Sequence, residues 1–113
     1  MLEAITPRVA WAFIFVSGAL EIAFAAAMQA SQGFTRPLPA ALAFASGGLS
    51  VYLMSLTLAT IPLGTAYAVW AGVGAVGTAA LGIWWLGEAA SPARLLCIAL
   101  VVAGIVGLQL LEN

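Results

Sequence analysis

Hydrophobic and polar positions alternate along this chain in blocks rather than residue by residue. Four long apolar runs, about 9–30, 39–59, 66–86 and 92–111, are separated by short segments rich in Gly, Pro, Ser and Thr. As a helix, each run is long enough to cross a hydrocarbon core of roughly 30 Å at about 1.5 Å per residue. The separators carry the expected stop and start signals. Gly33 and Pro37 lie in the first, Pro62 and Gly64 in the second, and Gly87 and Pro92 in the third, where glycine ends a helix and proline opens one. Pro7 suits the first turn of helix one, and Ser91 before Pro92 suits the N-cap of helix four. The pattern predicts an all-α membrane protein of four transmembrane helices, a single domain over 1–113 with no room for a second. The first run exceeds the apolar core of a secretory signal and carries Glu21, so it is read as a retained helix.

Composition narrows the function. Of 113 residues, 65% are hydrophobic, and the charges are three arginines and four glutamates with no Lys, Asp or His. A soluble surface cannot be built from so few charges. A metal site resting on His or Asp is excluded, and no basic patch exists for nucleic acid. Nucleotide-binding glycine patterns and the HExxH and GxSxG motifs are absent, and a nucleophile would lack a base. Neither an enzyme nor a cofactor is therefore expected. Cys97, inside an apolar run, reads as a small buried hydrophobe. Glu3, Arg8, Glu88, Arg94 and Glu112 read as anchors of helix ends.

The one carboxylate inside a run is Glu21. An ionised carboxylate at that depth costs about 3 kcal/mol or more, so it holds a proton or faces a cavity, a cation or another protein surface. Residues three, four and seven positions away include Ile14, Ser17, Gly18, Phe24, Ala25 and Met28, a face of small and aromatic side chains that a neighbouring helix can approach. In helix two, Ser50 follows the small patch Ser46-Gly47-Gly48. In helix three, Tyr67 and Trp70 share a stripe with Gly74 and Gly77. The glycines Gly72, Gly74, Gly77 and Gly82 suit either a bending point or tight packing. Trp84 and Trp85 suit the membrane interface. In helix four, Ala99, Ala103 and Gly107, with Gly104 beside them, form a smooth face for the subunit interface.

These parts suit a small organic cation. A carboxylate supplies charge and acceptors, and aromatic faces supply cation–π attraction. A carboxyl that takes either a proton or a cation gives proton-coupled antiport. Four helices make a poor tunnel, so a dimer is expected, with two copies of Glu21, Tyr67 and Trp70 around a shared cavity. Arg8 on one side nearly balances Arg36 and Arg94 on the other, a bias weak enough to let copies insert in both orientations.

The run Gly33-Phe34-Thr35-Arg36, the run from Ile61-Pro62-Leu63-Gly64-Thr65-Ala66-Tyr67 through Trp70 to Gly74-Ala75-Val76-Gly77, and Glu21 resemble the small multidrug resistance family over nearly the whole chain. Gly64-Thr65-Ala66, Gly74-Ala75-Val76-Gly77 and Leu86-Gly87-Glu88 leading to Ser91-Pro92 resemble its guanidinium-exporter branch. The resemblance implies an antiparallel, dual-topology homodimer in the bacterial inner membrane that exchanges guanidinium for protons. It further implies that Glu21 binds proton and cation, that Ser50 and Trp70 hydrogen-bond to it, and that Tyr67, Phe24 and Gly18 line the site. Two positions depart from that branch: Phe24 stands where Trp is usual, and Gln29 where Lys is usual. Phe keeps an aromatic wall without the indole donor. This leaves export of substituted guanidinium or quaternary ammonium compounds open beside guanidinium, and a non-transporting subunit of a larger membrane complex as a reading from another class.

Overall fold

A computed structural model describes residues 6–112, with side chains as far as Leu111. Glu3 lies outside the described residues, as does the side chain of Glu112. The helices are α1 (Pro7–Ala30), α2 (Pro37–Thr57), α3 (Leu63–Trp85) and α4 (Pro92–Glu112), and each is long and apolar enough to span a membrane.

Local chemistry explains where the helices begin and end. The Thr6 hydroxyl accepts from the Val9 N–H at 3.3 Å, and Pro7 occupies the first turn, so α1 starts ahead of Val9. After Ala30 the chain reverses through Gln32, Gly33 and Phe34, which all have positive φ. Two of these are not glycine, and Ser31 holds the turn: its hydroxyl donates to the Met28 carbonyl at 2.7 Å and accepts from the Phe34 N–H at 2.9 Å. Helix α2 opens at Pro37 rather than Pro39 and stops at Thr57, where the Thr57 carbonyl accepts the N–H groups of Thr60 and Ile61 and draws the chain into a turn. Helix α3 starts directly after Pro62, earlier than residue 66, and closes with Gly87 in the left-handed region and the Glu88 N–H on the Gly82 carbonyl. The expected N-cap of α4 is present: the Ser91 hydroxyl accepts from the Arg94 N–H at 3.2 Å. Arg94 also pairs with Glu88 in the same connection.

Helix α1 is the centre of the fold. It packs along α2 on one side and α3 on the other, α4 rests on α3, and α2 and α3 scarcely touch. Lipid is as apolar as leucine, so close packing rather than water exclusion holds such helices together. Ala10, Trp11 and Ile14 of α1 meet Ala66 and Val69 of α3 and Met54 of α2 in the buried core. At the α1–α3 crossing a side chain on Gly18 would collide with Val73, its β-carbon only 2.6 Å from Val73 Cγ1.

Helix α4 is the outlier. Almost none of it is buried, whereas α1 is the most buried of the four helices. Ala99, Ala103 and Gly104 are exposed, and Gly104 and Gly107 both face open space. Cys97 is exposed on the same helix. Its expected burial fails because α4 offers only one face to α3.

Candidate functional site

Glu21, near the middle of α1, borders a cavity of about 460 Å³ between α1, α2 and α3. Phe24, one turn on, shares the wall with Ser50, Phe44 and Val51 of α2 and Trp70 of α3. The Phe24 ring lies over Gly47, where an added β-carbon would stand 2.9 Å from Cδ1. The glycine pair of α2 thus makes the space that the aromatic ring fills. A larger recess of about 860 Å³ lies by Arg8, Trp11 and Gln109 at the start of α1 and, among the described residues, is lined by no carboxylate.

The Glu21 carboxyl rests against the backbone of α3 at Gly74, where an added β-carbon would stand 2.5 Å from Oε2. Oε2 is buried and, among the described residues, has no hydrogen-bond partner. Buried polar atoms are nearly always partnered, and one that is not calls for an explanation.

The expected bonds from Ser50 and Trp70 to Glu21 are not formed. Trp70 Nε1 donates to Ser50 Oγ at 2.9 Å, and Ser50 Oγ donates to the Ser17 carbonyl at 2.7 Å. Ser17 Oγ returns a bond to the Ser50 carbonyl at 2.5 Å. Where α1 and α2 cross this closely, each serine reaches the other's backbone, and that carbonyl takes the proton Glu21 would have received.

Of the residues singled out in the sequence, Glu21, Phe24, Ser50 and Trp70 come together around the cavity. Tyr67 stands beside them: 56% exposed, its ring meets Trp70 edge-on with centroids 5.3 Å apart, and it is not among the residues that line the cavity. Gly18 is a helix-crossing residue against Val73 and not part of the cavity wall, because its bare face points at α3. Ser17 is the polar group the sequence reading passed over as a site residue. Its spacing of four from Glu21 was the available signal.

Among the described residues, four membrane-spanning helices with a single carboxyl inside the spans, set against an aromatic cavity, define a small polytopic membrane protein. The chain belongs to the Small Multidrug Resistance protein family, whose model matches residues 9–101. It is similar to proteins named Guanidinium exporter from Citrobacter freundii and from Salmonella typhimurium, each 48% identical over 100 residues that cover 88% of this chain and 95% of the relative. It is also similar to the Guanidinium exporter of Yersinia pseudotuberculosis serotype I (strain IP32953), 46% identical over 101 residues covering 89% and 97%. The protein is a multi-pass protein of the bacterial inner membrane.

Proposed function

We propose that the chain forms a homodimer that exports guanidinium in exchange for protons, with Glu21 as the group that takes either one. The observation that carries this reading is the buried Oε2 of Glu21, which has no partner among the described residues and borders a cavity. A carboxyl in that setting gains most from a ligand that brings its own donors: a proton on the oxygen, or a planar cation whose N–H groups pair with both oxygens. One carboxyl cannot serve both at once, so arrival of the cation releases the proton. That exclusivity couples the two fluxes without a second ion site. The relatives named guanidinium exporters support the choice of cation, and the role is that of a transporter rather than an enzyme.

A second copy completes the site. Tyr67 is exposed next to Trp70, and the small face of α4 at Ala99, Ala103, Gly104 and Gly107 is open for a partner helix. The two copies lie antiparallel, each a single four-helix domain, as the near balance of Arg8 against Arg36 and Arg94 permits.

A second reading concerns cargo. Phe24, Phe44, Val51 and the Gly47–Gly48 pair make the cavity wall largely apolar, which favours substituted guanidinium or quaternary ammonium ions carrying alkyl groups. Growth of a sensitive host expressing the protein separates the two: protection against guanidinium supports the first reading, and protection against bulky quaternary ammonium salts alone replaces it with the second.

A further inference from the structure

Ile22, the residue after Glu21, has no part in the exchange described above, yet it enters a second notch in α3. A β-carbon added at Gly77 would overlap Ile22 Cδ1 and stand 2.6 Å from Cγ1. One turn earlier the relation is reversed: Val73 of α3 fills the bare face of Gly18, its Cγ1 and Cβ 2.6 and 2.7 Å from an added β-carbon. The contact of Glu21 with Gly74 lies between the two. Gly18 meets Val73, Glu21 meets Gly74 and Ile22 meets Gly77, so α1 and α3 run in the same direction with one knob from each helix flanking the carboxyl. Ile and Val are branched at Cβ and stiff in a helix. Neither knob turns aside without strain, and each sets the distance between the two backbones at its own level. The carboxyl has little else to fix it, because its buried Oε2 has no hydrogen-bond partner among the described residues.

We propose that Ile22 is a positioning residue for the cation site: by filling the Gly77 notch it spaces α1 from α3 and keeps the Glu21 carboxyl seated on Gly74 at the cavity wall. The inference rests on the guanidinium-exchange reading above. Bidentate pairing with a planar cation depends on the placement of both carboxylate oxygens, so a small change in helix spacing weakens it. A methyl group at Gly77 pushes Ile22 away from α3, together with the backbone that carries Glu21. Truncating Ile22 to Ala relieves the push. Ile22 Cβ lies 3.8 Å from the added β-carbon, an ordinary van der Waals distance, so two alanines fill the notch at the native spacing.

The test is guanidinium exchange by the purified protein in liposomes, with KM and maximal rate measured separately. Gly77→Ala is expected to raise KM roughly threefold to tenfold, on the scale of one net hydrogen bond. Adding Ile22→Ala to Gly77→Ala brings KM back to near the wild-type value, the non-additivity expected of residues in contact. Should Gly77→Ala not yield folded protein, the cycle is read from the other side: Ile22→Ala alone empties the notch and raises KM, and the double variant refills it and lowers KM again. Ile14→Val is the packing control. Ile14 is fully buried against the same helix, in the cluster with Ala66 and Val69, and its truncation lowers the yield of folded protein while leaving KM in place. A KM unchanged in the single variants, no rescue in the double variant, or a KM raised as much by Ile14→Val overturns the proposal. The Glu21 carboxyl-carbon resonance, in protein labelled at glutamate carboxyl carbons and assigned with Glu21→Gln, gives a readout independent of transport. It shifts in Gly77→Ala and returns in the double variant if Ile22 seats the carboxyl, and stays fixed throughout if it does not. Failure of the wild type to move guanidinium defeats the exchange reading, and a fixed Glu21 resonance defeats the role of Ile22.

Discussion

The carboxyl of Glu21 lies directly on Gly74: a β-carbon at Gly74 would stand 2.5 Å from Oε2 and 2.8 Å from the carboxyl carbon. The contact puts the one intramembrane charge of α1 against the backbone of α3, with no side chain between them. Gly74→Ala is expected to push the carboxyl off this seat and lower guanidinium exchange at least about tenfold, since misplacing a binding group by a fraction of an ångström is costly. Gly64→Ala, at a position of the same helix that faces open space, should leave exchange near the wild-type rate. Initial rates in liposomes at matched protein content check the pair.

Phe24→Trp tests the origin of substrate preference. The indole adds an N–H donor to a wall that now offers Glu21 none. The expected result is a shift of several fold in relative KM toward guanidinium and away from alkylated cations, on the scale of one hydrogen bond. Competition between guanidinium and tetrapropylammonium measures it, and an unchanged ratio removes Phe24 from the specificity argument.

The open face of α4 predicts how the copies join. Among the described residues no atom lies within 4 Å of a β-carbon added at Gly104, so Gly104→Leu should leave the folded chain intact while obstructing a partner helix. The dimer should dissociate at protein concentrations at least about tenfold higher than for the wild type, a loss of about 1.4 kcal/mol. Concentration-dependent light scattering in detergent reads this. A dimer of undiminished stability would place the interface elsewhere.

Orientation follows from very few charges. Ala90 lies in the α3–α4 connection, on the side of Arg36 and Arg94. Ala90→Lys strengthens that bias and should bring all C-termini to one face, abolishing exchange when the variant is expressed alone. Accessibility of a C-terminal tag from each side of the membrane reports the outcome. The wild type should show both orientations, and a wild type found in one orientation would contradict the antiparallel arrangement.

The helices and the charged centre were legible in the sequence because the bilayer imposes a long apolar run for each crossing and makes any charge within it conspicuous. Glu21, Phe24, Ser50 and Trp70 could be grouped before the structure for that reason. The hydrogen bonds could not. Whether Ser50 faces Glu21 or the backbone of Ser17 depends on how closely α1 crosses α2, a matter of packing set by Gly47 and Phe24 together. Gly18 misled in a similar way: its spacing from Glu21 put it on the right face, yet a helix face is wide enough to meet both the cavity and Val73. Helix starts were misplaced by two or three residues where proline serves as the first residue or as the cap.

The most direct measurement is simultaneous guanidinium and proton flux in liposomes containing the purified protein, with Glu21→Gln in parallel. Guanidinium uptake should drive proton movement in the opposite direction, and Glu21→Gln, which keeps the shape but has no proton to exchange, should abolish both fluxes. Guanidinium uptake that moves no protons, or that survives in Glu21→Gln, would contradict exchange through this carboxyl.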